Sequence, residues 1–397
     1  MSPKTEIVIV DGARTPMAEY NGLFSDVSAI DLGVVAAKEA LARSGTDPGE
    51  VDHVIFGNAL QTSGDAIYGA RHVGLKAGIP TPVPALTVNR LCGSGFESIV
   101  QGAQRILLGE ATTVLAGGME NMSQAPHVIR GARRGLRLGQ GQLEDSLMVA
   151  LLDSWCGLSM AQTSDRVAAK YGISREEQDE YAVSSQKRAA AAWESCRLSE
   201  EVVGVDVQSG RMTVRVERDD HMRPDTTAES LAKLPPSFGK GGQVTAGNAS
   251  GIVDGAAAVV VTTAANAERK GKKPIARLLS WGVVGCEPEL MGLGPAPASR
   301  LALERAGLTR EDVDLWEINE AFAGQILGVV RELDLDLAKL NVNGGAIALG
   351  HPLAATGTRL TLTLAKELRR RGARYGVAAA CIGGGQGIAV VLESAAP

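Results

Sequence analysis

Four residues capable of acid, base or nucleophilic chemistry stand in glycine-rich turns beside apolar runs. Cys92 lies in "LCGSGFESIVQGAQRI", His351 in "NGGAIALGHPLAATG", Asn319 in "LWEINEAFAG" and Cys381 in "AACIGGGQGIAVVLE". Glycine lets a backbone turn tightly or approach a ligand closely. A thiol just ahead of a helix is drawn toward thiolate by the helix dipole, and a thiolate is the nucleophilic form. Cys92 has that setting, although a small buried hydrophobe is the ordinary fate of a cysteine. Cys381, before Gly383, Gly384, Gly385 and Gly387, could be a core residue, a redox centre, a metal ligand or a catalyst. Cysteine with histidine makes a nucleophile–base pair once the fold brings them together. Asn319 follows an apolar run and reads equally well as a helix cap.

The elements that would bring them together are duplicated. "AAKEALARSGTDPGEVDHVIFGNA" (36–59) and "ASRLALERAGLTREDVDLWEINEA" (298–321) share eight of 24 positions at a constant offset of 262. Each reads as an amphipathic helix stopped by glycine, a polar turn and an apolar strand. The offset also pairs Gly95 with Gly357 and places His351 in the loop equivalent to the one before Cys92. Two copies of one α/β unit, packed pseudo-symmetrically, would converge these loops, with sheets sandwiched between helices. Between the copies the composition changes. "RGARRGLRLGQGQLEDS" is basic and flexible, "SREEQDEYAVSSQKRAAAAWES" is a solvated amphipathic helix, and "HMRPDTTAESLAKLPPSFGKGGQVTAGNASG" is loop-like. The expected division is 1–119 with 251–271 as one half, 120–250 as an inserted loop domain, and 272–397 as the other half.

A formal charge of −5 argues against a general nucleic-acid surface. No apolar run approaches the ~20 residues of a membrane span. Five scattered cysteines without a CxxC pair argue against a structural metal or disulfide framework, and so for a reduced, soluble, cytoplasmic protein. "GGGQG" lacks the GxGxxG order and precedes a strand, not the helix a dinucleotide fingerprint needs.

Together "NRLCGSGFES", "GGMENMSQAP", "TAGNASGIVDGAA", "NEAFA", "NVNGGAIALGHP" and "CIGGGQGIAV" resemble the thiolase family of acetyl-CoA and 3-ketoacyl-CoA acyltransferases. The resemblance runs from "VIVDGARTP" to the last strand, and "SGDAIYGARHVGLKAGIP" looks like the mitochondrial-type 3-ketoacyl-CoA branch and its bacterial relatives. It implies an α/β fold with a five-layered αβαβα core of two halves, an inserted loop domain, and assembly as a homodimer or homotetramer. It implies an acyl-accepting nucleophile at Cys92, its activating base at His351 and a second acid/base at Cys381. Asn319 would position an oxyanion-binding water, and the N–H groups of Cys92 and Gly383 would form a second oxyanion hole. Arg223, Thr226 and Ser250 would contact coenzyme A, a co-substrate and not a resident cofactor. No metal is implied, and fatty-acid β-oxidation is the expected context.

Two positions depart from the family pattern. Ala354 stands where glycine is common; its methyl is expected to be tolerated, with narrowing of the pocket as its one effect. Trp155, Cys156 and Met160 replace the His–Met pair of biosynthetic relatives. Cys156, Cys196 and Cys286 match no catalytic position and read as structural. The rivals are a ketosynthase-like condensing enzyme, against which Cys381 argues, and a non-catalytic acyl-CoA-binding protein.

Overall fold

A computed structural model describes residues 5–239 and 241–395. Residues 1–4 and 396–397, at the outer ends of the two expected halves, and residue 240, in the expected insertion, lie outside the described residues.

The strands that matter to the site are β1 (Ile7–Arg14), β2 (His53–Gly57), β3 (Ala85–Val88), β4 (Thr113–Glu120), β5 (Val253–Thr263), β6 (Ala276–Gly285), β7 (Leu315–Ile318), β8 (Tyr375–Ile382) and β9 (Gln386–Ser394). Their order in the main sheet is β7-β8-β9-β6-β1-β5-β4-β2-β3. The antiparallel β1–β6 pair is the seam. On either side the pattern is the same: two antiparallel pairings, then a parallel one. The duplication survives residue for residue here. His53 pairs with Val114, and at the offset of 262 Leu315 pairs with Gly376.

The helices are α1 (Ala29–Arg43), α2 (Gly69–Lys76), α3 (Ser94–Leu107), α4 (Arg175–Glu194), α5 (Pro295–Ala306), α6 (Ala323–Leu333) and α7 (Leu353–Arg371). Strand alternation assigns them to layers. Ile7, Ile9, Val259, Val261, Ile388, Val390 and Leu392 share one core with α3 and α7. The intervening Val10, Ala258 and Val260 pack with α1 and α2, while Ala389 and Val391 pack with α5 and α6. The result is helix, sheet, central helices, sheet, helix, the five layers expected.

The insertion departs from expectation in one respect. The basic stretch lies in a hairpin closed by His127–Ile129 and Leu143–Asp145. Helix α4, expected to be solvated, instead buries Gln178, Asp179, Tyr181, Ala182, Ser185, Gln186, Ala189 and Ala192. Much of that face is polar, so an apolar periodicity does not reveal it. Tyr181 and Ser185 bond to the buried carboxylate of Glu320, at 2.8 and 2.7 Å.

At the centre, α3 and α7 touch backbone to backbone. A Cβ on Gly95 would lie 2.6 Å from the Thr358 nitrogen, and one on Gly357 would lie 2.3 Å from the Phe96 nitrogen. In an unconstrained helix Gly→Ala gains about 1 kcal/mol. Here the clash decides the sign, and Gly357→Ala is expected to cost about 1–3 kcal/mol net, read as a lower midpoint in urea unfolding.

Candidate active site

Cys92 sits in a 3₁₀ turn, Leu91–Gly93, that runs directly into α3. Leu91 has φ 46°, a strained value for a branched side chain. The turn is held from both ends: Asn89 Oδ1 accepts from the Leu91 N–H at 2.9 Å, and Ser94 Oγ accepts from the Arg90 N–H at 2.8 Å while donating to the Leu91 carbonyl at 2.7 Å. The N–H groups of Gly383 and of Cys92 itself point at the sulfur and favour its anion. Burial outweighs them and pushes the thiol up to about 11. The expectation that the helix start makes a thiolate is therefore corrected: Cys92 rests as a thiol, because desolvation exceeds the dipole.

His351 is buried, and its backbone N–H is anchored on the Gly251 carbonyl at 2.9 Å. Its Nδ1 lies 2.6 Å from Thr356 Oγ1, and its Nε2 lies 3.4 Å from Asn319 Nδ2. With the amide nitrogen turned to the ring, Nε2 carries the lone pair and Nδ1 the proton. Burial, then the nearby Arg359 guanidinium, brings the imidazole down to about 3. Arg359 is buried one turn beyond Thr356 on α7, 3.2 Å from Glu317 on β7. The site therefore rests as a neutral thiol and a neutral base.

Asn319 ends β7, its N–H bonded to the Ala379 carbonyl on β8 at 2.9 Å. Its Oδ1 is buried without a hydrogen-bond partner among the described residues. Cys381, near the end of β8, is buried among Met291, Ala321, Met160 and Phe322. Burial holds its pKa well above the ordinary range, with Cys92 and then Cys286 as nearby charges that add to the rise. Cys286, set aside from the sequence as structural, is thus a neighbour of Cys381. Cys196 is exposed, and all five cysteines are free thiols.

A cavity of about 390 Å³ opens beside these groups, lined among others by His351, Leu353, Met122, Leu151, Phe322 and Ser250. Cys92 packs on the apolar cluster of Met122, Leu147 and Leu353 behind it. Of the three expected coenzyme A contacts, only Ser250 lines the cavity. Arg223 is exposed, and its guanidinium donates to the carbonyls of Asp220, His221 and Met222 and to Glu19. Thr226 bonds to the Arg223 carbonyl in the same loop, at 2.7 Å. Ala354 is fully buried outside the cavity lining, so its methyl does not narrow the pocket as expected. Trp155 is exposed, whereas Met160 reaches the Cys381 pocket.

Sequence reasoning missed Thr356 and Arg359, which orient and tune His351. The polar residues of "HPLAATGTRL" in an otherwise buried helix were the available signal. Two outcomes follow from the resting state. Iodoacetamide should alkylate Cys92 slowly at pH 7 and about tenfold faster per pH unit through pH 9, because only the thiolate reacts; a plateau near neutrality would contradict a raised thiol. The unfolded chain takes up a proton at His351 below pH 6.5 and the folded chain does not until about pH 3, so this histidine's contribution to stability is lost on acidification. His351→Gln should accordingly lose less Tm than wild type between pH 7 and pH 5.

Comparison with known proteins agrees with this architecture. The family model described as "Thiolase, N-terminal domain" matches residues 7–265, and "Thiolase, C-terminal domain" matches residues 272–394. The human protein "3-ketoacyl-CoA thiolase, mitochondrial" is 53% identical over 393 residues, 98% of each chain. An acetyl-CoA acetyltransferase of Cupriavidus necator is 46% identical over 98% of this chain and 99% of its own. The solved structure of human mitochondrial 3-ketoacyl-CoA thiolase in complex with CoA superposes with TM-score 0.96 at 52% identity, covering 98% of both chains. Two family models that together span nearly the whole sequence, with a relative 53% identical over 98% of each chain, establish that the chain belongs to the thiolase family.

Proposed function

We propose that this acyltransferase carries out the reversible coenzyme A-dependent cleavage of 3-ketoacyl-CoA, the reverse direction being condensation of acetyl-CoA with an acyl-CoA. The observation that carries the reading is the neutral His351 Nε2, held by Thr356 and Asn319, beside a cavity whose apolar wall packs on Cys92. Cys92 attacks the keto carbon and its proton passes to His351. The oxygen of the thioester enolate that departs is met by a water held at Asn319, whose unpartnered Oδ1 supports that role. As the C–C bond breaks, the enolate of acetyl-CoA takes a proton at carbon from Cys381. A thiol whose pKa lies well above the usual range is a reservoir for that proton. Acetyl-CoA leaves, and coenzyme A then takes the acyl group from Cys92 in a second half-reaction. The Cys92 and Gly383 N–H groups are assigned to the tetrahedral oxyanion of each half-reaction, whose carbon is bonded to the sulfur at which they aim.

Coenzyme A is a substrate here, as the human relative's CoA complex supports. Ser250 is assigned to it from the cavity lining; Arg223 and Thr226 are kept as contacts at the mouth, where His221 of the same loop lines the cavity. The division into 1–119 with 251–271, 120–250 and 272–397 is likewise our assignment, supported by the matching register of the halves. No helix among the described residues is long and apolar enough to cross a membrane. The cytoplasmic location and the β-oxidation context remain readings from the sequence, and the human relative is mitochondrial by name. A homo-oligomer is proposed through the hairpin face, where Ile129, Leu136, Leu138 and Leu143 are exposed. Sedimentation should show Leu138→Asp shifting the assembly to a smaller species.

Thiolysis of acetoacetyl-CoA and 3-ketooctanoyl-CoA, side by side, tests the activity. Cys92→Ala should abolish the acyl-enzyme seen by mass spectrometry. Cys381→Ala should still acylate slowly from an acyl-CoA while failing at C–C bond formation; equal loss of both steps would sink the two-thiol assignment. Coenzyme A binding without any acyl adduct would favour the binding-protein rival, and malonyl decarboxylation the condensing-enzyme rival.

A further inference from the structure

The duplication pairs not only elements but individual groups of the site. At the offset of 262, Cys92, in the turn that leads into α3, corresponds to Ala354, in the first turn of α7, and β4 corresponds to β8. On one side of the pseudo-symmetry the N–H of Cys92, from the first half, and that of Gly383, just past β8 in the second, converge on one sulfur. On the other side the N–H of Ala354, from the second half, is not open. It donates at 3.2 Å to Oε2 of Glu120, the last residue of β4. The same carboxylate accepts from the N–H groups of Ala59 and Leu60, at 3.1 and 3.0 Å, and from Asn58 Nδ2 at 2.9 Å. Glu120 is fully buried. The Ala354 carbonyl rests on the same strand, so close that a Cβ on Gly118 would fall 1.9 Å from it.

We propose that Glu120 is a positioning residue for the reaction: its carboxylate takes the Ala354 N–H, the counterpart of the Cys92 N–H, and, by gripping Ala354 and the 58–60 segment at once, sets His351 and the wall of the Cys92 pocket in register. The inference rests on the reading of Cys92 and His351 given above. Ala354 lies three residues after His351, and Ala59 and Leu60 pack on the apolar cluster that also carries Cys92. Three of the four donors are backbone N–H groups, which a carboxylate can serve with both oxygens and a glutamine with only one. Burial lifts Glu120 to about 7, the cost of keeping an anion there, and Asp254 adds to the rise. Cys92 in turn feels the Glu120 charge, together with the Gly383 N–H, and lies near Cys381.

The test is E120Q and E120D in the full chain, with kcat, KM, the acyl adduct on Cys92, and the pH profile of Cys92 alkylation by iodoacetamide. In E120Q, kcat should fall about 10²-fold with KM within about twofold, as expected for a sub-ångström to ångström misplacement of reacting groups. Loss of the neighbouring anion should at the same time move the alkylation profile to lower pH by about half a unit. A residue that merely holds the fold would lower turnover without that shift. E120D keeps the charge and shortens the reach: kcat should fall at least about tenfold with the alkylation profile unmoved, and it carries the test if E120Q does not fold. Wild-type kcat in either variant, or an unmoved profile in folded E120Q, overturns the inference alone. Absence of an acyl adduct on Cys92 of the wild-type protein overturns the functional reading and this inference with it.

Discussion

The contact on which the site depends is the backbone crossing of α3 and α7 at Gly95 and Gly357. These glycines correspond through the duplication, and each leaves no room for a Cβ against the other helix. Thr358 Oγ1 closes the crossing on the Gly95 carbonyl at 3.1 Å. Cys92 stands three residues before one glycine and His351 six before the other. The placement of Cys92 relative to His351 is therefore set by a helix–helix contact in the middle layer, where close packing transmits small displacements. Other glycines serve the same end: Gly57 admits Ser94, Gly93 admits Ile382, and Gly118 admits Ala354. The high glycine content and low aromatic content are the composition of such an interior.

The second constraint is desolvation. The cysteine rises, the histidine falls and the second thiol rises, all first because they are buried. In the proposed reaction, neutral partners in a buried site leave the developing oxyanions and the enolate as the strongest charges, so fixed donors act on them at low dielectric. Around this neutral centre the interior holds a costly set of ions. Arg14 is paired with Glu201 and Asp219, each at 2.6 Å, and Arg359 with Glu317, which burial pushes up to about 8. Such pairs are weak evidence for stability, yet breaking one leaves a stranded charge. They join β1, the insertion and β7 to the helix that carries Thr356.

Much of this was legible because duplication and glycine placement are one-dimensional signals. Gly95 and Gly357 could be paired by counting, and Cys92, His351, Cys381 and Asn319 by their positions at element ends. The polar face of α4 was not legible, since its partners Glu320 and Asn341 lie more than 130 residues away. Nor was the inward placement of Ala354, or the pull of Arg223 onto its own loop carbonyls instead of into the cavity.

By itself the sequence determined the repeated α/β unit, the chemical types at the site and the turns that hold them, because these follow from local periodicity and residue chemistry. Protonation was decided only by tertiary structure. A helix start beside Cys92 argues locally for thiolate, and desolvation in the folded site reverses it. The same holds for Glu120, an unremarked acidic residue at the end of an apolar strand until Asn58, Ala59, Leu60 and Ala354 are folded around it. Desolvation and long-range hydrogen bonding depend on what surrounds a group in three dimensions, and no spacing along the chain encodes that.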